Sequence, residues 1–560
     1  MPPAVRLPFA SVLRHVGAAA EAEGVAAYAV GGAVRDALLG RPTSDVDVLA
    51  VGVDGTASEG AGVRLATATA RALGVKAPAV YPAFGTAAVT VPAERLPRDE
   101  QDALDGDARL VVEFVGARRE SYRSDSRKPI VEDGTLDDDL ARRDFTVNAL
   151  AVRLDGPDAG TLVDRFGGAA HLAEKRLVTP LDPDVTFSDD PLRMLRAARF
   201  AAQLGFEVDT QALAAMRTHA DRLAIVSQER ITEELSKLLA APVPSVGLGI
   251  LHRTGLLAVV LPEVARLEGA EEVGGRAHKD NLWHTFEVVD NLAYLQRGVG
   301  VGDRAGGYDL WLRWAALVHD LAKPDTKRWE PGTGWTFHGH EDVGPRKHIP
   351  ALFRRLRLSL GEPLDFVQTV VRLHHRPAAL VDADVTDSAV RRLIMDAGDD
   401  IDDLMLLVRA DVTSKNARRA RTYLAGFDRV EQRMAEVEAR DHLRNWQPPV
   451  DGDEMQARLA LPEGVAVGIL KAWLREAVLD GTVANEHDDA WNWVASRRDE
   501  AVRRADLFRA VVRALPPAQR RATGAVKEAA FWDDLPDDDD AARAHLAATA
   551  QTDTPPDGDT

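Results

Sequence analysis

Asp45 and Asp47 are separated by one residue in the run Ser-Asp-Val-Asp-Val-Leu-Ala-Val. On a β-strand, residues i and i+2 point to the same face, so these two carboxylates stand side by side. They repel unless a cation lies between them, and hard divalent ions such as Mg²⁺ prefer an all-oxygen environment. Two such ions about 3.5–4 Å apart hold both the attacking and the leaving oxygen of a phosphoryl transfer. Glu113, central in Val-Val-Glu-Phe-Val, is the expected third carboxylate. An acid on an apolar strand is costly to bury alone, and a metal supplies its partner. Upstream, Gly31 and Gly32 end the run Tyr-Ala-Val, and Ala-Val-Arg-Asp-Ala-Leu-Leu-Gly follows as a helix. Backbone N–H groups without side chains in the way approach phosphate oxygens closely, and the helix start favours the anion. The order strand, Gly-Gly, helix, Asp-x-Asp thus reads as a phosphate cradle followed by a metal pair.

A second constellation is built on histidine. Seven of the 15 histidines lie between His284 and His375. His284, the adjacent pair His319-Asp320 and Asp411 form an ordered ligand set, with His338, His340, His374 and His375 as further candidates. His319-Asp320 ends the apolar run Trp-Leu-Arg-Trp-Ala-Ala-Leu-Val, where unpaired polar groups are costly. Imidazole with carboxylate suits a divalent transition metal such as Mn²⁺, Ni²⁺, Co²⁺, Fe²⁺ or Zn²⁺. Such an ion activates water against a phosphoester.

The elements that carry these residues are legible from periodicity. Tyr-Ala-Val, Asp-Val-Asp-Val-Leu-Ala-Val, Ala-Val-Thr-Val, Val-Val-Glu-Phe-Val and Ala-Leu-Ala-Val-Arg-Leu read as strands, with helices over 11–24 and 62–74. Residues 1–155 are therefore expected to form an α+β head, followed by a helical neck over 156–270. A helical metal-binding domain is expected over 271–425, and a C-terminal helical region over 426–532. Residues 533–560, rich in Asp, Ala, Thr and Pro, are expected to be a disordered acidic tail.

The 560 residues suffice for roughly three to five domains. No run of 18 or more apolar residues exists, and the N-terminus lacks the signature of a signal peptide, so a cytoplasmic protein is expected. There are no cysteines, which excludes disulfides, cysteine–zinc sites and thiol catalysis. The formal charge of -19 argues by itself against a nucleic-acid partner. Charge is unevenly spread, however. Residues 531–560 carry nine Asp and one Arg, whereas seven Lys and Arg face three acids from Asp342 to Arg376. Arg346, Lys347, Arg354, Arg355 and Arg357 are the expected RNA-binding face there, giving salt-sensitive contacts to phosphate.

The string GGAVRDALLGR…SDVDV resembles the polymerase β nucleotidyltransferase superfamily. More narrowly, it resembles the class II tRNA nucleotidyltransferases (CCA-adding enzymes) and the bacterial poly(A) polymerases that share their head. RRDFTVNALAV over 142–152, SDDPLRMLRAARFAAQLGF over 188–206 and SQERITEELSKLL over 227–239 are similar to later motifs of the same family, in the same order. The resemblance implies a polymerase β-like head and metals on Asp45 and Asp47. It implies triphosphate contacts from Gly31, Gly32 and Arg35, and a contact between Asp144 and the ribose 2′-hydroxyl. Arg142 and Arg143 are expected to clamp phosphates and Asn148 to brace the loop. Asp190 and Arg193, joined by Arg196, would hydrogen-bond the base edge, so that the protein serves as template. Asp189 stands where the family often has Glu. CTP and ATP both offer an exocyclic amine to a carboxylate, whereas UTP and GTP offer a carbonyl.

The histidine set resembles the HD phosphohydrolase superfamily, and some CCA-adding enzymes carry such a domain, linked there to phosphatase and 2′,3′-cyclic phosphodiesterase activity. The expected function is addition of CCA to tRNA 3′ ends from CTP and ATP, with no membrane partner. The polar segment between Glu113 and Arg142 is similar to the flexible loop of full CCA-adding members. Two alternatives stand beside this reading: a poly(A) polymerase or A-adding enzyme on the same fold, and an HD phosphohydrolase whose head only binds RNA. The acidic C-terminus contrasts with the basic extension of typical bacterial poly(A) polymerases, and so favours tRNA.

Overall fold

Taken by alternate residues, Asp45–Gly52 and Arg109–Gly116 each have one apolar and one mixed face. In the computed structural model these are β2 and β5 of a seven-stranded sheet. The structure describes residues 5–514 except 44, 82–84, 103, 105–108, 122–129, 270–271, 274–275, 278–279, 299–309, 382–385, 415 and 442–448, together with 532, 536, 541 and 542. The acidic segment from 533 onward therefore lies almost wholly outside the described residues.

The remaining strands are β1 (Val25–Val30), β3 (Ala79–Tyr81), β4 (Thr86–Pro92) and two further ones, Leu150–Arg153 and Leu162–Asp164. Across the sheet the order is β3, β4, β5, β2, β1, Leu150–Arg153, Leu162–Asp164. β2 and β5 run parallel and all other neighbours antiparallel. One face is covered by helices α1 (Ala10–Glu23) and α3 (Ala61–Leu73), whose Val12, Val16, Leu65 and Ala66 pack on Val46, Val48, Leu110, Val112 and Phe114. The other face is covered only in part, by Leu136 and Leu140 of a short helix over Leu49, Val51, Ala26 and Tyr28. Asp45, Asp47 and Glu113 lie on this second face, away from the packed end. The head is thus α+β, as the alternation and motifs indicated.

Helices follow: Leu192–Leu204, Gln228–Leu239, Pro244–Arg253, Asn281–Gly298 and Leu310–Val318. Short strand pairs interrupt this helical stretch, Glu272–Val273 with Arg276–Ala277 among them. Arg176–Leu177 pairs with Glu207–Val208, and Arg328–Glu330 pairs with Gly334–Thr336. The last is a hairpin that periodicity did not suggest. Gly332 and Gly334 adopt φ of +90° and +104° in its turn, and Trp329 and Trp335 face each other across it.

By compactness the chain divides into Met1–Val371 and Arg372–Thr560. The second unit is helical, with a core built on Met455, Leu470, Leu474, Val494 and Val511. No helix among the described residues is long and apolar enough to cross a membrane.

Candidate functional site

The register of the parallel pair sets the first site. Asp47 stands directly opposite Glu113, and Asp45 opposite Val111 two residues earlier. The three carboxylates therefore share one end of the open face, contributed by two adjacent strands. Burial pushes the Asp47 carboxyl above its usual range; Arg143 pulls it back, and the nearby charges of Glu113 and Asp45 push it up again. A crowded, all-oxygen donor set of this kind fits a hard divalent cation.

Gly31 follows β1 next to these acids with φ +74° and ψ -133°, a region open only to glycine. A Cβ there would meet Arg143 Nη1 at 2.8 Å and Asp47 Oδ2 at 3.6 Å. The backbone thus passes within reach of both the carboxylate and the guanidinium, and only glycine permits it. Gly32 opens helix α2 (Gly32–Leu38), on which Arg35 is nearly buried.

Arg35 begins a chain of polar contacts from head to neck. Its Nη2 pairs with Asp36 at 2.7 Å and its Nη1 donates to Asn148 Oδ1 at 2.7 Å. Asn148 Nδ2 donates to Asp144 Oδ1 at 2.9 Å, and Arg196 Nε donates to Asp144 Oδ2 at 2.7 Å. Arg196 also faces Glu234 at 3.6 Å, and Glu234 accepts from Arg199 Nε at 2.6 Å. Burial works against the Asp144 carboxylate, but Arg196 and the Asn148 amide outweigh it and hold the group below its usual range. The ring of Phe200 lies against three guanidiniums, those of Arg35, Arg196 and Arg199, at 5.2, 5.2 and 4.1 Å.

Arg142 and Arg143 are held by Asp139, which the motif did not single out. Asp139 Oδ1 accepts from Arg142 Nε and Nη2 at 3.0 and 2.6 Å, and Oδ2 from Arg143 Nε and Nη2 at 3.2 and 3.0 Å. Its carboxyl has no solvent exposure, yet the two guanidiniums overcome the burial cost and hold it below its ordinary value. The signal was helical spacing: Asp139 precedes the two arginines by three and four residues.

Asp190 follows the helix Pro183–Asp189 and Arg193 lies in the next one. Asp190 Oδ1 accepts from the Leu192 N–H at 3.2 Å and Oδ2 pairs with Arg230 at 3.2 Å. Arg193 donates from Nη2 to the Arg142 carbonyl at 2.6 Å and from Nη1 to the Thr186 carbonyl at 3.3 Å. Its guanidinium is thus committed to backbone oxygens where the motif expects a base.

The second site gathers His284, His319 and Asp320, whose ligand atoms lie within 4.8 Å of one another. His284 comes from Asn281–Gly298, and the other two follow Leu310–Val318. His319 Nδ1 is 2.8 Å from the Ala316 carbonyl, and His340 Nδ1 is 2.7 Å from the Phe337 carbonyl. Both contacts place the proton on Nδ1 and turn Nε2 toward Asp320, at 3.3 and 3.4 Å. This is the tautomer a metal requires. Lys323 Nζ, one turn beyond Asp320, reaches its Oδ2 at 2.7 Å. Burial opposes the Asp320 carboxylate, but His319 and Lys323 hold it well below the usual range. Asp411, His374 and His375 belong to the second unit, where Asp411 follows the helix Ile401–Ala410 and the two imidazole rings lie 4.1 Å apart, tilted by 45°.

The expected RNA-binding face is largely neutralised by acids, two of them distant in sequence. Arg355 makes a two-pronged pair with Glu263, Arg357 meets Glu229 at 3.1 Å, and Arg346 lies 4.0 Å from Asp342. Lys347 and Arg354 are exposed.

Residues 27–178 match the family described as the Poly A polymerase head domain. Residues 205–267 match the probable RNA and SrmB-binding site of polymerase A, and residues 282–414 match the HD domain. The CC-adding tRNA nucleotidyltransferase of Thermus thermophilus is 32% identical over 470 residues, 82% of this chain and 92% of that protein. The A-adding tRNA nucleotidyltransferase of Deinococcus radiodurans is 34% identical over 366 residues, 63% of this chain and 77% of that protein. The multifunctional CCA protein of Pseudomonas aeruginosa PAO1 is 34% identical over 338 residues, 59% and 70% of the two chains. Among solved structures, the Bacillus stearothermophilus CCA-adding enzyme in complex with CTP shares the fold, with a TM-score of 0.57 at 22% identity, covering 88% of this chain and 99% of that one.

Proposed function

The chain belongs to the tRNA nucleotidyltransferase family, and from that premise we propose that it builds the CCA end of tRNA from CTP and ATP, releasing pyrophosphate. The observation that carries this reading is the register of β2 and β5, which sets Glu113 opposite Asp47 with Asp45 on the same open face. Asp45, Asp47 and Glu113 would hold divalent ions, with Mg²⁺ the natural fit to oxygen ligands. When bound, such ions lower the pKa of the RNA 3′-hydroxyl and stabilise charge on the leaving oxygen. The backbone at Gly31 and Gly32 and the guanidinium of Arg143 face the place where the triphosphate would lie. Asp144, anchored by Asn148 and Arg196, is set to meet the ribose 2′-hydroxyl. Asp190 would accept the exocyclic amine common to CTP and ATP, and Arg193 would complete the base edge once it leaves its carbonyl partners.

A second activity is favoured by the buried His284, His319 and Asp320 cluster, which suits a transition metal and hydrolysis of a phosphoester.

The test uses purified protein, Mg²⁺ and tRNA transcripts ending before C, after CC and after CCA, each with CTP, ATP or both. Three additions that then stop are expected. A long ladder with ATP alone would move the protein to the poly(A) polymerases. A single A on the CC-ended transcript, or two C residues only, would restrict it to one half of the reaction. No addition at all would overturn the transferase reading.

A further inference from the structure

Among the described residues of the second unit, the longest helix carries a cluster of unpaired positive charge. Arg418, Arg419 and Arg421 lie within the first five residues of Ala417–Asp441 and are exposed. Among the described residues, no acid stands within ion-pairing distance of any of them, in a chain of net charge -19. Several other arginines of the unit are paired: Arg376 with Asp396, Arg392 with Glu476, Arg409 with Glu431 and Arg475 with Asp396. A cavity of about 370 Å³ opens beside the cluster, lined by Val381, Asn416, Arg418, Arg419, Thr422 and Tyr423. Arg419 lies 5.7 Å from the centre of the half-buried Tyr423 ring, its neighbour one helical turn on. The backbone N–H groups of Arg418 and Arg419 are already taken by Asn416 Oδ1 at 3.0 and 3.1 Å. Recognition at this place therefore falls to side chains and not to the helix terminus.

We propose that Arg418, Arg419, Arg421 and Tyr423 form a docking surface for the phosphodiester backbone of structured RNA, namely the tRNA substrate. This rests on the transferase reading above. Arg418 and Arg421, three residues apart on one helix face, carry like charge, and Arg419 joins Arg418 at the cavity wall; a polyanion relieves that repulsion while matching the guanidinium fork. An aromatic ring in the same cavity adds a face on which a base or ribose can lie. Several charges spread along one helical turn suit successive phosphates better than a single small anion. The acidic remainder of the chain confines RNA to such a patch. The contrast with Arg346, Arg355 and Arg357, each facing an acid, separates this surface from the one expected from local charge count.

The test compares the full-length protein with the triple variant R418A/R419A/R421A and the triple lysine variant, each checked for an unchanged melting temperature. Binding of a tRNA transcript is measured as a function of salt, and addition kinetics are measured at varied tRNA. The alanine triple is expected to raise the KM for tRNA about 10-fold or more with little change in kcat or in the KM for ATP. It should reduce the slope of log affinity against log salt by about 2–3, since each phosphate that is no longer neutralised takes roughly one from the slope. The lysine triple should retain most of the slope, because charge is kept. An alanine triple with wild-type tRNA affinity and slope overturns the proposal. A lysine triple whose slope falls as far as that of the alanine triple also overturns it, because a charge-preserving change would then act through structure. If wild-type protein adds no nucleotide to any transcript, the transferase reading fails, while the binding slopes still report on this surface independently.

Discussion

Arg230 Nη2 lies 3.2 Å from Asp190 Oδ2, so the carboxylate proposed to read the base is already paired with a guanidinium from the neighbouring helix. The pair is partly solvated, with Arg230 side-chain exposure of 54%, so it is weak enough for a nucleotide amine to displace or share. Asp190 is thereby aimed before substrate arrives.

Replacing Asp190 by Ala should remove the acceptor for the exocyclic amine. The expected loss in kcat/KM for both CTP and ATP is about 10- to 100-fold, corresponding to about 1–3 kcal/mol for an unpaired buried donor. UTP, which has no amine there, should be nearly unaffected. Arg230→Ala should change the same ratios only a few-fold. Single-nucleotide kinetics on the matched transcripts check this; an equal loss for UTP would assign Asp190 to folding.

The three carboxylates on β2 and β5 make a sharper case. Asp47→Asn or Glu113→Gln should reduce addition of both nucleotides by about 10²-fold or more, as loss of a preorganised charge at the reacting centre does. Binding of tRNA should be retained. A chelator should abolish addition, and Mg²⁺ should restore it. Retained addition in either variant would remove these strands from the chemistry.

Asp139 yields a prediction on stability. It is fully buried between Arg142 and Arg143, so Asp139→Asn leaves both guanidiniums with a weaker partner. Because both arginines reach solvent, the expected cost is about 2–3 kcal/mol, below the value for a wholly buried pair. The folded-state carboxyl is depressed, so its contribution is complete above the unfolded value of 3.8 and lost as pH falls below it. Denaturation midpoints of wild type and variant should differ by a constant amount at neutral pH and converge in acid. The KM for both nucleotides should rise together, since Arg143 faces Gly31.

What was legible in the sequence followed from short range. Asp45 and Asp47 are two residues apart, and period-2 geometry alone put them on one face. Glu113 was recognisable as an acid on an apolar strand, but its place opposite Asp47 is a matter of register between strands 66 residues apart. Asp139 was within reach of helical spacing, and Lys323 follows Asp320 by one turn. Arg230 and Glu234 were not legible, because their partners Asp190 and Arg199 come from another part of the chain. The basic stretch around 346–357 shows the same limit: a count of charge along the chain does not see Glu263 and Glu229, which pair with Arg355 and Arg357.

The histidine cluster and the carboxylate face are built from different elements, and this separation is itself testable. Asp320→Asn weakens the one carboxylate at which His284, His319 and Lys323 converge. It should lower the content of bound transition metal in purified protein by about 10-fold or more, the range seen even when only a group supporting a ligand is removed. Any hydrolysis of a 2′,3′-cyclic nucleotide should fall with it. Nucleotide addition should continue, because Asp45, Asp47 and Glu113 reside on the sheet and share no ligand with the cluster. Asp47→Asn should do the reverse, sparing metal content and hydrolysis while stopping addition. Metal analysis and both assays on the two variants decide the matter: if Asp320→Asn stops addition while the protein remains folded, the two centres do not act independently.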